Sequence, residues 1–196
     1  MDAFTDDSNP WLNALRHEDS RDYAASAKLY LDDAARCINA GSLTRAALSC
    51  CCAASCLTNL GDIKDAKTLY MQAALLHEKN SELAIGHSVR ESIWSLLHAY
   101  EYYILVANEL SAQRVSKRYI ALARSIDDFG GLVASDTLKA RRERMEKART
   151  KMESSLVTTD SKVAQNLNRI HEDIGRLIDL ARKNPAFSPT SRNVRQ

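Results

Sequence analysis

The stretch GDIKDAKTLYMQAALLHEKN, residues 61–80, decides the fold of this chain of 196 residues. A Gly-Asp pair opens it. In the helical segment that follows, two small residues, Ala66 and Ala73, stand on either side of the bulky Tyr70. The alanines are about two helical turns apart, so both lie on one face and let a neighbouring backbone approach closely. The stretch therefore predicts a packing seam between stacked helices.

The composition predicts an all-α fold. Glycine and proline, which interrupt helices, number only 6 and 3 in the whole chain. No long stretch alternates apolar and polar residues with the period of two that half-buried strands show. The chain is also long enough to bury a substantial core.

Helical periodicity and capping residues predict where the helices begin and end. A short helix is expected to start at Pro10, and Gly41 and Gly61 are expected to end the next two. One long helix is predicted over 81–108. A break at Gly86 is the alternative, because a sequence of capping-box form follows this glycine directly.

The second and fourth predicted helices are related by an internal repeat. A shift of 40 residues aligns Leu29-Tyr30 with Leu69-Tyr70, and Ala34 with Ala74. Repeats of this length are typical of solenoids, in which each helical hairpin buries its apolar face only by stacking on the next. We therefore expect stacked helical hairpins.

The chain changes in charge after Gly131. Residues 1–131 carry a net charge of −4 and residues 132–196 a net charge of +6, which together give the +2 of the whole chain. The segment DDFGG at 127–131 therefore marks the expected boundary. The predicted organisation is an acidic disordered tail at 1–10, a helical-repeat domain at 11–131, a basic helical hairpin at 132–183 and a disordered tail at 184–196.

The last predicted helix, over 161–183, carries a heptad pattern. Its apolar residues recur at spacings of 4, 3, 4, 3 and 4, at Val163, Leu167, Ile170, Ile174, Leu177 and Ala181. This narrow stripe is typical of a coiled-coil seam. We expect the C-terminal hairpin either to fold back as a cap or to project as a coiled-coil arm. Self-association through 161–183 is a further expectation.

Residues of the opening stretch resemble a known repeat family. Gly61, Asp62, Ala66, Tyr70 and Ala73 stand where the second helix of a tetratricopeptide repeat has its motif. The motifs LYLDDAARC and AASCL are similar to those of soluble NSF-attachment-protein type repeats. The resemblance implies an α-solenoid, a right-handed stack of antiparallel helical hairpins. In that family the stacked hairpins hold coiled-coil membrane-fusion complexes and present them to a hexameric ATPase.

The cysteines favour a packing role. Four of the five, Cys50, Cys51, Cys52 and Cys56, lie in one predicted helix, and the fifth is Cys37. A closed zinc site needs four converging ligands, and no histidine is near these positions in sequence. Cysteine here is expected to act as a small core residue, with metal binding and reversible redox chemistry as the alternatives.

The cysteine pattern and the N-terminal sequence predict a cytoplasmic location. Crowded cysteines within one helix do not form the disulfide framework of a secreted domain. The N-terminal sequence MDAFTDDSNP is acidic and lacks the apolar core of a signal peptide. We expect a soluble cytoplasmic protein.

The sequence offers no catalytic motif. It has no glycine-rich phosphate loop and no nucleophile elbow. The adjacent pairs His77-Glu78 and His171-Glu172 point about 100° apart on a helix, so their side chains cannot converge and are expected on solvated faces. We predict a protein that is not an enzyme and has no cofactor or metal site.

A basic run in the seventh predicted helix suggests an alternative function. Its seven cations are Lys139, Arg141, Arg142, Arg144, Lys147, Arg149 and Lys151. Such a run binds nucleic acid or an anionic membrane surface through counterion release. The charges surround most of the helix and no aromatic residue is interleaved, so a solvated helix is the favoured interpretation.

The leading hypothesis is a non-enzymatic adaptor that binds a helical or extended peptide, or a coiled-coil partner, on the solenoid surface. Cys51, Ser55 and Asn59 are expected on the concave surface. Tyr102 is rotated away from Tyr100 and Tyr103, which are expected in the core, and is a candidate exposed anchor for a partner. The partner itself is not identified by the sequence.

Overall fold

The computed structural model describes residues 9–126, 130–154 and 161–185, with side chains placed from residue 166 onward in the last range. Within these ranges every regular element is an α-helix, eight in all, so the predicted all-α fold is confirmed. The helices are α1 Pro10–Asp19, α2 Tyr23–Asn39, α3 Leu43–Asn59, α4 Ile63–Ala84, α5 Val89–Leu105, α6 Glu109–Arg124, α7 Gly130–Glu153 and α8 Ser161–Lys183.

Four of the turns between helices share one form. In each, a residue with a left-handed backbone follows the end of one helix, and the residue after it is the N-cap of the next helix. The left-handed residues are Arg21, Gly41, Gly61 and Ala107, at φ 61°, 74°, 80° and 61°. The cap's backbone N–H reaches five residues back in all four turns, as from Asp62 to the Leu57 carbonyl at 2.9 Å. This is the Schellman arrangement, and it confirms the two predicted glycine stops.

The predicted helix over 81–108 is wrong as one continuous element, and the alternative break is confirmed. Helix α4 runs on to Ala84 and α5 begins at Val89. The Ser88 hydroxyl accepts a hydrogen bond from the Glu91 backbone N–H at 3.2 Å, which caps α5. The cap supplies an acceptor for an N–H at the new helix start, so the chain is able to turn there.

From α1 to α7, consecutive helices pack against one another, and small residues line their contacts. Ala66 and Ala73 of the opening stretch are fully buried, as that stretch predicts. So are Cys50 and Cys56 of α3. Side chains this small let helix axes approach closely, and Tyr103 is among the large side chains that fill the remaining space.

Buried acidic residues tie helices together. Asp33 of α2 accepts hydrogen bonds from Ser49 and from Arg45 Nε, the latter at 3.1 Å, and both donors lie on α3. Glu101 of α5 is held by Arg141 and Arg144 of α7. Each acid is at least nine-tenths buried, so the cations offset a desolvation that would otherwise be costly.

The C-terminal helices fold back on the preceding ones. Helix α7 packs against α5 and α6, and α8 packs against α2 and α4. The heptad residues Ile170, Ile174, Leu177 and Ala181 join the core of the N-terminal helices and are each 2% exposed. Both C-terminal helices therefore fold back, but on different parts of the stack, and in the described residues α7 and α8 do not pack on each other as the predicted hairpin would.

Helix α8 runs in the same direction as α2. Asn166 and Ile170, near the start of the described part of α8, line a small cavity with Ala25 near the start of α2. At the other end, Asn184 donates a hydrogen bond to the Ile38 carbonyl at 2.7 Å. Helix α8 therefore lies lengthwise over the groove between α2 and α4.

Disordered tails are predicted at 1–10 and 184–196. Most of their residues, 1–8 and 186–196, lie outside the described part of the chain. Val163, the first heptad position, has a side chain outside this part as well. Across the described helices, none combines the length and the apolar character that spanning a membrane requires.

Candidate functional site

An open groove lies between α4, α6 and the exposed edge of α8. It consists of two neighbouring cavities of about 530 and 350 Å³ that share Gln72, Leu75, Ile178 and Arg182. We call this surface the open groove. Its remaining lining residues are Lys67, Thr68, Met71, Glu78, Lys79, Glu82, Val106, Arg114 and Ala181. Its size and shape suit an elongated ligand more than a compact one.

The apolar floor of the open groove comes from α4 and α8. Leu75 projects into it and is 43% exposed, while Ile178 borders it from α8. A leucine this exposed in a concave surface leaves apolar area that a ligand would remove from water. The groove is therefore able to bind apolar side chains.

Glu78 fixes one wall of the open groove. Its carboxylate is 8% exposed and accepts hydrogen bonds from the Tyr103 hydroxyl at 2.9 Å, Arg114 Nη2 at 2.8 Å and Arg118 Nη1 at 2.8 Å. These donors lie on α5 and α6. The network therefore sets the spacing of α4 and α6 across which the groove opens.

The rim of the open groove carries more cations than anions. Lys67, Lys79, Arg114 and Arg182 line it, against Glu78 and Glu82 among the acids. Each of these cations pairs with an acid of the chain: Lys67 with Glu153, Lys79 with Glu82, Arg114 with Glu78 and Arg182 with Asp179. The Arg114 and Arg182 side chains remain more than half exposed, so they are accessible to an acidic group of a ligand.

Two of the predicted partner-binding residues are brought together, away from the open groove. The Tyr102 side chain is half-buried and hydrogen-bonds to Cys51. Its ring stacks on Tyr70, with ring centroids 5.9 Å apart. Ser55 is half-buried and Asn59 is exposed at the end of α3. Tyr102 thus has an extensive intramolecular role and does not stand free as an anchor.

The expectation that His77 and Glu78 lie on a solvated face is wrong. They are 3% and 8% exposed, because α4 is enclosed by α3 on one side and by α5 and α6 on the other. Of the second pair, His171 is exposed, and its Nδ1 lies 2.8 Å from the Asp65 carboxylate on α4. The spacing of adjacent residues did not reveal these contacts.

His77 sits in a cluster of rings. It packs edge-on to Trp94 at 5.5 Å and stacks on His98 at 5.3 Å between ring centroids. Its Nδ1 is buried and has no hydrogen-bond partner among the described residues. Burial lowers the pKa of His77 to about 3; a positive charge on His98 adds to this, and Glu101 opposes it.

We expect acid to destabilise the protein through His77. Below pH 6.5 His77 becomes protonated in the unfolded chain, whereas in the folded protein it stays neutral until the pH nears 3. The free energy of unfolding therefore decreases as the pH is lowered through this window. Between pH 7 and 5 the loss is about 2 kcal/mol from this group. Urea unfolding of the wild type and of His77→Phe at both pH values measures it. Equal losses in the two proteins would contradict the assignment.

The cysteine thiols are held in the protonated form. Burial is the main cause that raises the pKa of Cys52 and Cys56 to about 11 and that of Cys50 to about 12. Thiolates are the reactive and metal-binding species, and they are scarce near neutral pH at such values. Within the described residues, no three His, Cys, Asp or Glu side chains are placed to share a metal ion.

All four arginines of the predicted basic run make contacts within the chain. Arg141 and Arg144 bind Glu101, and Arg149 donates to the Ile104 carbonyl at 3.0 Å. Arg142 binds Glu109 and Glu146, which raises its pKa. The lysines of the run, Lys139, Lys147 and Lys151, are exposed. The arginines thus fasten α7 to α5 and α6.

Comparison of the chain with known protein families, with curated proteins and with solved structures finds no match. What the structure supports directly is a bundle of eight helices, among the described residues, that is compatible with a helical repeat. Function therefore has to be argued from the groove, the helix on its edge and the contacts that hold them.

Proposed function

We propose that the chain is a non-enzymatic adaptor that binds an amphipathic helix of another protein in the open groove. One observation carries the proposal. Helix α8 already lies along α2 and α4 with its apolar stripe inward, and the next position, over α4 and α6, is open. Laying an amphipathic helix in an apolar groove is a common way of recognising a protein.

We infer a finer architecture that agrees with this function. The four turns of one form and the packing of consecutive helices from α1 to α7 support a solenoid of antiparallel hairpins. Its right-handed twist is what the tetratricopeptide resemblance implies. In such a stack, equivalent grooves recur from one repeat to the next. The open groove would then be the repeat equivalent of the groove that α8 covers.

The chemistry of the proposed ligand follows from the lining. Leu75 and Ile178 call for apolar side chains on one face of the partner helix. The exposed arginines Arg114 and Arg182 on the rim favour acidic residues beside that face. Because the groove is built on helices fixed by the Glu78 network, little ordering of the adaptor opposes binding.

Two further expectations belong to the proposal. The protonated thiols favour a structural role for the cysteines over catalysis or metal binding, and free thiols are typical of a reducing compartment such as the cytoplasm. The alternative of nucleic-acid or membrane binding through α7 draws less support, because its arginines are engaged with Glu101, Glu109 and Glu146. A salt titration of any binding distinguishes that alternative.

A displayed library of helical peptides tests the open groove. The full chain is expected to select amphipathic helices with acidic flanks, and Leu75→Glu is expected to weaken the selected peptides at least about tenfold by placing a charge on the groove floor. Leu83→Glu is the matched control, since Leu83 is also on α4, is 48% exposed and lies outside the groove. Equal binding by both variants, or no selected helix, would refute the proposal.

A further inference from the structure

Helix α8 contacts the stack through one face, with a buried stripe at its centre and the partly buried Leu167, Ile178 and Leu180 at its margins. Ile170, Ile174, Leu177 and Ala181 are nearly fully buried, whereas Gly175 and the charged residues around it, such as Glu172, Arg176 and Asp179, are exposed. Helices α3, α4 and α5 differ, because each is enclosed by neighbours on two sides. Helix α8 therefore sits on the stack as a ligand helix sits in a groove.

Polar contacts fix the register of α8 in this groove. His171 contacts the Asp65 carboxylate of α4 at 2.8 Å, and the carboxylate is almost completely buried. Near the other end, the Asn184 amide donates to the Ile38 carbonyl of α2. Both anchors require only a donor at a fixed position on the bound helix, so another helix with donors there would satisfy them equally.

The charges on the α2 side of this groove are nearly balanced. Burial raises the pKa of Asp32 of α2 and Asp173 of α8 adds to this, whereas Lys28, Arg36 and Arg176 oppose it. Asp173 also pairs with Arg176 one turn further along α8, so the helix brings one charge of each sign to this part of the groove. A helix that docks here therefore needs no net charge at these two positions.

We propose that the groove between α2 and α4 is a binding site for an amphipathic helix of a partner protein, and that α8 occupies it in cis as a competitor. The partner helix has apolar residues spaced 4, 3 and 4 apart, as at Ile170, Ile174, Leu177 and Ala181. It carries a hydrogen-bond donor where His171 stands. This site is distinct from the open groove and extends beyond the function proposed above.

The test uses the full chain and a labelled synthetic peptide of residues 166–185 as the probe. Ile174→Asp places a charge in the buried stripe and is expected to release α8, which frees the groove. Because occupancy in cis lowers the apparent affinity for a competing helix, the probe should bind this variant at least about tenfold more tightly than the wild type. The matched control is Gly175→Asp, where an added side chain meets nothing within 4 Å. It should bind the probe as the wild type does.

A second variant covers the case in which Ile174→Asp does not fold. His171→Glu leaves the apolar stripe intact and sets a carboxylate against Asp65, so it should also release α8 and increase probe binding. Hydrogen exchange over 166–185 reports the release directly. The proposal would be overturned if hydrogen exchange over 166–185 were unchanged in both variants. It would also be overturned if α8 were released but the variants bound the probe no more tightly than Gly175→Asp does. A wild-type dimer that the probe dissociates would also overturn it, since the groove would then take α8 of a second copy.

These outcomes are separable from a failure of the open groove. That groove is tested by substitution of Leu75 in the wild-type background, where α8 stays docked. The competition proposed here is tested by substitutions on α8 and by its own sequence as the probe. Either proposal is able to fail while the other holds.

Discussion

Replacement of Glu78 by alanine is expected to lower the free energy of unfolding by about 2–4 kcal/mol. The carboxylate is almost completely buried and accepts hydrogen bonds from Tyr103, Arg114 and Arg118. Its loss leaves the fully buried Tyr103 hydroxyl without its acceptor. The two arginines are partly exposed and regain water, so the loss stays below the upper end for a broken buried pair.

Urea unfolding followed by circular dichroism measures this effect. Glu82→Ala is the matched control, because Glu82 is on the same helix and pairs with Lys79 and Arg118 but is about half exposed. Its removal is expected to change the free energy of unfolding by less than about 1 kcal/mol. Similar losses for the two variants would show that burial of Glu78 is not what makes its network stabilising.

Replacement of Ala73 by leucine is expected to destabilise the protein by about 3 kcal/mol. Ala73 is fully buried in the middle of α4, and so are the small residues Ala53 and Ala54 of α3. These helices make one of the most extensive contacts in the fold. Leucine has three more heavy atoms than alanine, and at this position they would lie where α3 and α4 are already in contact. The axes of the two helices would therefore have to move apart.

The control for overpacking is Ala148→Leu. Ala148 is exposed on α7, and leucine forms helices nearly as well as alanine does. This substitution is expected to change the free energy of unfolding by no more than about 0.5 kcal/mol. If thermal unfolding showed Ala73→Leu to be as stable as Ala148→Leu, the seam of small residues would not be tightly packed.

Local features of the fold were predictable from the sequence. The helix starting at Pro10 and the stops at Gly41 and Gly61 follow from residues whose backbone preferences act within one turn. The turns at Arg21 and Ala107 have the same form, yet they use non-glycine residues at positive φ, which carry no sequence mark. For this reason the helix predicted to end at 108 ends earlier, at Leu105.

The candidate site was less predictable, because its parts lie far apart in the chain. The apolar stripe of α8 was visible as a heptad, but the stripe does not say whether its partner is another chain or α2. The pairing of His171 with Asp65 joins residues 106 positions apart, and that of Arg114 with Glu78 joins residues 36 apart. Periodicity reports which face of a helix is buried, not which helix buries it.

The placement of α8 has a consequence for the order of folding. Helices α1 to α6 contact neighbours that follow closely in sequence, so their stack forms through short loops with little closure entropy. The contact between Asn184 and Ile38 spans 146 positions of the 196-residue chain. On a ribosome it forms only after the last helix has emerged. The newly made stack therefore passes through an interval in which the groove between α2 and α4 is open, and a partner present at synthesis meets it uncovered.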